Sequence, residues 1–331
     1  MLLGLLLLAA GLVGATWWWL QRPLPLAAHS IELSIEHGTA PREIAQGWVD
    51  AGVQTSPLLL YEWFRWSGLA RRIRAGSYEL SPGDTPRSLL TKMVRGDETL
   101  ATARLIEGWT FRQFRAELAR ADGLKPTTSG MSDDEVMAAL GLPGLPPEGR
   151  FYPDTYAYSK GSSDIAVLRR AQRAMQQRLD AAWAQRALDT PLRSADEALV
   201  LASIVEKETG AAADRPKVAA VFVNRLRIGM PLQTDPTVIY ALAEGRGPLG
   251  RELTRADLEV ASPYNTYRNP GLPPGAIANP GKGAIAAAVD PAPVDYLYFV
   301  ASGEGGHRFA SSLAEHNRNV ARWRKLRKSP G

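Results

Sequence analysis

Residues 2–20, LLGLLLLAAGLVGATWWWL, carry no charged side chain, and at about 1.5 Å per helical residue they reach nearly across the ~30 Å hydrocarbon core of a bilayer. This run predicts a single N-terminal transmembrane helix, and everything after it then lies on one side of the membrane. Trp17, Trp18 and Trp19 fall at its end beside Arg22 and Pro23, where indole rings prefer the water interface. The alternative is a cleaved signal peptide, for which Val13-Gly14-Ala15 is a passable small-residue cleavage site. No Lys or Arg precedes the run, and long domains translocate largely regardless of charge. The expected location is therefore the one usual for a signal-anchor: the cell (inner) membrane, single-pass, with the large domain outside the cytoplasm (periplasmic).

A chain of 331 residues exceeds what one core usually absorbs and predicts two folded units behind the anchor. Its 45% hydrophobic and 22% charged residues are those of a globular protein, and leave room for one span at most. The 39 Lys and Arg against 34 Asp and Glu leave a net +5, too thin an excess to argue for nucleic acid. The absence of cysteine excludes disulfides, thiolate metal sites and cysteine nucleophiles. Four histidines limit metal chemistry further, so neither a metal nor a cofactor is expected.

Beyond Pro23 and Pro25, Ser30 to Ile35 alternates as a strand, and the stretch from Gly38 to Ile44 opens a helix with Pro41 in its first turn. The device returns at Ser77 to Ser81 with Gly83 to Leu90, and more weakly at Ala101 to Ile106 with a helix through Leu118. With the apolar helix Leu58 to Trp66 inserted, these strand-turn-helix units make a compact module that resembles a LysM-like glycan-binding module; a packed spacer is the plainer alternative. Residues 122–150, rich in Gly, Pro, Ser and Thr, read as a connector with one short helix capped by Ser132 and Glu135. Asp164 to Ala187 reads as a scaffold helix with solvated charges. The expected order is α+β: anchor over 1–22, juxtamembrane stretch and LysM-like module over 23–97, and a catalytic domain over 98–331.

Ser194 and Glu197 are spaced as a capping box for a helix over Ala195 to Thr209, which Gly210 can end. On a helical wheel centred on Ile204, Leu201 falls at about 60°, Val205 at about 100° and Glu208 at about 40°, so Glu208 lies within the apolar stripe. Glu206, at about 200°, reads as a surface acid. A carboxyl in apolar surroundings at a helix C-terminus should have a raised pKa and keep its proton near neutrality, as a general acid for a glycosidic oxygen requires. A core glutamate bonded to backbone is the alternative.

Asp214 reads as the cap of a following helix, Arg215 to Ile228, with Gly229 as its stop; the helix is mostly scaffold, and Asn224 and Arg225 at its end are placed to reach a ligand instead. Asp235 before Pro236 has the arrangement of an N-cap and first helical residue, in the string Leu232-Gln233-Thr234-Asp235. Tyr264-Asn265-Thr266-Tyr267 with Gly271 to Gly275 reads either as a packed turn or as a rigid loop presenting rings and an amide to sugar. Tyr296 to Val300 is a strand, and Gly303 to Phe309 reads as a tight turn carrying His307 ahead of a helix with His316 and Asn317. Structural hydrogen bonding or substrate contact suits these histidines better than a metal.

The strings Ser203 to Thr209, Asn224-Arg225-Leu226, Leu232 to Val238, Tyr264 to Tyr267, Gly271 to Gly275, Gly306-His307 and His316-Asn317 together closely resemble the endolytic murein transglycosylase family (MltG, YceG-like), whose layout matches nearly the whole chain. The resemblance implies Glu208 as the catalytic acid. Asn224, Gln233, Thr234, Asp235, Tyr264, Asn265, Thr266, Tyr267 and His307 are the candidate substrate-binding residues. It implies a lytic transglycosylase cutting MurNAc-β-1,4-GlcNAc bonds in nascent peptidoglycan glycan strands to 1,6-anhydroMurNAc ends, terminating strand elongation, with membrane-bound peptidoglycan synthases as partners. An older label for some relatives, aminodeoxychorismate lyase, finds no convincing pyridoxal lysine here. Two rivals remain: a hydrolase on the same glycan, using Asp235 or Asp154 to activate water, and a non-enzymatic cell-wall binding or scaffold protein.

Overall fold

The computed structural model describes residues 2–36, 38–303 and 305–328. The chain divides into two compact units. One holds residues 1–102, 121–125 and 157–163; the other holds 103–120, 126–156 and 164–331.

The first unit begins with helix α1 (Leu2–Gln21), which covers the uncharged run. The expected span falls partly outside the described residues, because the side chains of Leu2, Leu3, Leu5, Leu6, Leu7 and Ala9 lie beyond them. Among the described residues no helix is long and apolar enough to cross a membrane. Leu8, Leu12, Val13, Trp17 and Trp18 are exposed along α1, whereas Trp19 packs on the unit's core. The Arg22 guanidinium lies 3.6 Å over the Trp18 ring.

Strand β1 (Ile31–Ile35) is followed by α2 (Pro41–Asp50), α3 (Pro57–Trp66), β2 (Gly76–Leu80) and α4 (Pro86–Arg95). The two strands pair antiparallel, from Ile31 opposite Leu80 to Ile35 opposite Gly76. Alternation sends Ile31 and Ile35 from β1, and Tyr78 and Leu80 from β2, into a core with Trp48, Leu60, Phe64, Leu89 and Met93. Two buried polar groups are satisfied there: Trp48 Nε1 donates to Met93 Sδ at 3.4 Å, and the Tyr78 hydroxyl donates to the Arg74 carbonyl at 2.9 Å. Each helix starts on a proline, and α4 adds a reciprocal cap between Thr85 and Ser88. The third strand-turn-helix copy differs in its pairing: β3 (Leu100–Arg104) pairs with β4 (Thr155–Ser159), not with β1 or β2.

The second unit is mainly helical: α5 (Phe111–Arg120), α6 (Asp133–Ala139), α7 (Asp164–Ala184), α8 (Ala195–Glu208), α9 (Arg215–Arg227), α10 (Asp235–Ala243), α11 (Lys282–Val289) and α12 (Leu313–Lys328). Its hairpin, β5 (Tyr298–Ala301) and β6 (His307–Ala310), pairs Phe299 with Phe309 and Ala301 with His307. His307 thus stands on a strand and not in the expected turn. Helix α8 is the axis of this unit, with every residue from Ala198 to Val205 buried and α7, α9, α10 and α11 packed around it.

The Ser132–Glu135 capping box forms in both directions. Other local readings are overturned. Asp164 is not a solvated charge: it is buried and accepts from the Thr127 hydroxyl and from the amide and hydroxyl of Thr128. The stretch read as a connector folds into the core through Val136 and Met137. Ser194 caps α8, but the Glu197 carboxylate turns to the Arg193 amide and guanidinium, leaving the box one-sided.

Trp48 is fully buried at the centre of the first core. Trp48→Ala should cost about 3–5 kcal/mol of that unit's stability, read as a lower denaturant midpoint for its transition.

Candidate active site

Glu208 is the last residue of α8 and lines a cavity of about 360 Å³ together with Phe222, Arg225, Leu232, Gln233, Asp235, Tyr267, Tyr298, Phe299, Leu313 and His316. These residues come from α8, α9, the segment before α10, the loop carrying Tyr267, strand β5 and helix α12, all within the second unit.

Burial is the largest influence on the Glu208 carboxyl and pushes it up, and the neighbouring Asp235 charge adds to that. A hydrogen bond from the Thr234 hydroxyl to Glu208 Oε1 and the charge of Arg225 pull the other way, leaving its pKa at about 7. The apolar stripe read from the sequence therefore corresponds to a desolvated acid, half protonated near neutrality.

Thr234 is held in turn. Its amide donates to Thr266 Oγ1 at 3.1 Å, and its carbonyl accepts from the Thr237 hydroxyl at 2.8 Å. The Thr237 and Thr266 hydroxyls lie 2.9 Å apart. Just before Thr234, Gln233 takes a left-handed backbone, φ 49°, and its amide donates to the Thr266 carbonyl at 3.1 Å. Thr234, not Asp235, is the N-cap of α10. Asp235 accepts instead from the Tyr267 hydroxyl at 2.6 Å, which holds both groups in the cavity wall.

Arg225 is buried, and its Nε and Nη1 donate to the carbonyls of Leu297 and Leu232 at 2.8 and 2.6 Å. Its guanidinium lies 5.5 Å over the Tyr298 ring. Two backbone carbonyls and an aromatic face thus support a cation beside the acid.

Of the ten catalytic and substrate-binding candidates named from the sequence, Glu208, Gln233, Asp235 and Tyr267 line the cavity, and Thr234 and Thr266 support it from behind. Four others do not line it. Asn265 is fully buried: its amide nitrogen donates to the carbonyls of Leu258 and Val260, and its oxygen accepts from the Tyr267 amide, so it shapes the loop. Asn224 donates to the carbonyls of Val294 and Tyr296. Tyr264 packs on Tyr240 with ring centroids 4.9 Å apart. The amide of His307 donates to Asp214 Oδ2, whose other contact is His307 Nδ1 at 3.1 Å, so Asp214 does not cap α9 by its side chain.

Asp154 is exposed and bonds the amide of its own neighbour Thr155, away from the cavity. Glu206 is not a surface acid. Its side chain is 7% exposed, accepts from the Gly281 amide at 3.0 Å and faces Arg215 at 3.6 Å, and burial raises its pKa. The sequence reading also passed over Glu148 in the Gly/Pro-rich stretch. It accepts from the Phe111 amide, and burial lifts it to about 8. Arg225 carried a usable signal, since it lies three and four residues after Phe222 and Val221 on the inward face of α9.

The YceG-like family profile matches residues 33–322. The chain belongs to the YceG-like family. It is 30% identical to an endolytic murein transglycosylase of Bacillus subtilis, with 87% of this chain and 83% of that protein covered. It is 28% identical to a protein of the same name from Streptococcus pneumoniae, and there the match covers 96% of this chain but 63% of the longer relative. The crystal structure of a yceG-like protein from Listeria monocytogenes superposes with a TM-score of 0.56 at 32% identity, over 87% of this chain and 98% of that one. The mixed α+β architecture is thus shared with a solved member of the family.

Because the folded state holds the Glu208 proton up to about pH 7 while the unfolded carboxyl releases it near 4.5, stability is lost as pH rises through that window. Glu208→Gln should be spared this loss. Relative to wild type it should gain about 3 kcal/mol between pH 4.5 and 7, measured by denaturant unfolding at a series of pH values.

Proposed function

We propose that this protein is an endolytic murein transglycosylase that cuts the MurNAc-β-1,4-GlcNAc bond within glycan strands. The observation carrying this reading is Glu208, a half-buried acid at the cavity wall whose pKa desolvation raises to about 7. The relatives named above bear the same activity in their names.

The chemistry follows from that carboxyl. Protonated Glu208 donates to the glycosidic O4 as the C1–O4 bond breaks. The resulting carboxylate takes the proton of the muramoyl 6-hydroxyl, whose oxygen closes on C1 to give the 1,6-anhydro end. The nucleophile belongs to the substrate, so its effective concentration is already high and no second carboxylate has to activate water. Thr234 holds one carboxyl oxygen, and Gln233, Asp235 and Tyr267 are the groups available to hold the sugar.

Asp235 in the same cavity supports a second reading, a hydrolase. Its hydrogen bond from Tyr267 weighs against it as a free base.

The remainder of the reading is positional. The uncharged helix α1, exposed along Leu8 to Trp18, would anchor the chain in the inner membrane with both units in the periplasm, beside membrane-bound peptidoglycan synthases. Cleavage there would terminate nascent strands. The first unit, with two helices between paired strands, would hold the glycan as a LysM-like module.

Incubating the full-length protein with uncrosslinked glycan strands should yield anhydromuramoyl ends by mass spectrometry, about 18 mass units below reducing ends, as loss of one water requires. Glu208→Gln should remove at least about 10³-fold of that activity, the scale of a lost general acid. Reducing ends, abolished by Asp235→Asn, would establish the hydrolase instead. In wild type the rate should fall as pH rises through about 7, because the acid must be protonated.

A further inference from the structure

Two histidines near the C-terminal end of the chain look alike in sequence, and the structure separates them. His307 is tethered to Asp214 through both its amide and its ring. His316, on the first turn of α12, lines the cavity that holds Glu208. Its ring stacks on Tyr298 with centroids 5.2 Å apart and planes within 24°. Nδ1 is shut off from water and has no hydrogen-bond partner among the described residues.

A ring nitrogen left in that condition is a cost to the folded protein, because the water it gave up has not been replaced. The groups around it do not supply the bond. Arg225, whose guanidinium also lies over the Tyr298 ring, spends Nε and Nη1 on backbone carbonyls. Leu313, one turn earlier on α12 in the same cavity wall, has no polar group to offer. Burial and the Arg225 charge hold the His316 pKa below its ordinary value, so the ring is neutral near pH 7 and carries one donor and one acceptor nitrogen.

We propose that His316 is a substrate-binding residue of this site: Nε2, the ring nitrogen that is not sealed off, takes a hydrogen bond with a sugar hydroxyl of the bound glycan while Tyr298 fixes the plane of the ring. A hydroxyl is the ligand group that suits the ring in either tautomer, since it donates and accepts at one atom. The inference rests on the glycan reading of the cavity given above.

The test uses the full-length chain with Glu208→Gln, which keeps strands intact, and compares binding of uncrosslinked glycan strands with and without His316→Phe. Phenylalanine keeps a ring on Tyr298 and removes both nitrogens. The expected result is a dissociation constant about three- to tenfold higher, the effect of one neutral hydrogen bond. Otherwise wild-type protein carrying His316→Phe should show the same rise in KM with kcat within about twofold. Its melting temperature should not fall, because an unpaired polar atom has been taken out of the interior. His316→Gln, which restores a donor and an acceptor, should recover part of the affinity.

Unchanged affinity in His316→Phe would overturn the proposal, as would a drop in melting temperature that accompanies the loss of binding in both variants and so marks a packing role. If the parent Glu208→Gln protein binds no strands and wild type cuts none, the glycan reading itself fails. That outcome is separable from the failure of His316 alone.

Discussion

The arrangement of the second unit depends on keeping one carboxyl out of water without leaving it unpartnered. Burial raises the Glu208 pKa, and the Thr234 hydroxyl limits that rise by giving Oε1 a donor. The rest of the local structure serves this pair. The amide and carbonyl of Thr234 are bonded to Thr266 and Thr237, and those two hydroxyls meet each other. A buried network of this kind is stable only when every member is satisfied, which accounts for the three mutually bonded threonines behind the acid.

Helix α8 supplies the other constraint. It is buried along most of its length, so what surrounds it fixes its orientation. The Ser203 hydroxyl accepts from the Ile277 amide at 3.0 Å, Glu206 accepts from the Gly281 amide, and Glu208 accepts from Thr234. Three bonds within the last two turns, two to the stretch from Ile277 to Gly281 and one to Thr234, prevent the helix from rotating about its axis, and the acid keeps one direction into the cavity.

How much of this could be read in advance depends on how far apart the partners lie along the chain. Glu208 was legible because its apolar neighbours are one and two turns away on the same helix. The caps at Thr85 and Ser132 were legible because their partners are three residues on. Asp214, Asp235 and Glu206 misled for one shared reason. Each fits a local role, as a cap or a surface acid, but each is claimed by a group from distant chain: His307, Tyr267 and Gly281. Asn265 misled in a similar way, since its amide saturates its own loop and nothing in the residue type distinguishes that from binding sugar. A helical wheel also assumes one solvated face, and α8 has almost none. Arg225 and His316 were present in the quoted strings, but their role in the cavity wall emerges only when β5 and α12 close over α9.

Gln233 combines two demands that no single residue meets well. Its backbone sits at φ 49°, a conformation that costs a residue with a side chain about 1 kcal/mol and costs glycine almost nothing. Its side chain nevertheless belongs to the cavity wall, so glycine would relieve the backbone and remove the amide. Asparagine, the other residue at ease in that conformation, would keep an amide but draw it back by one methylene. The position is therefore a point of exchange between foldability and reach: a chain selected for stability alone would abandon glutamine there, and its presence marks a segment where reach into the cavity is worth the strain.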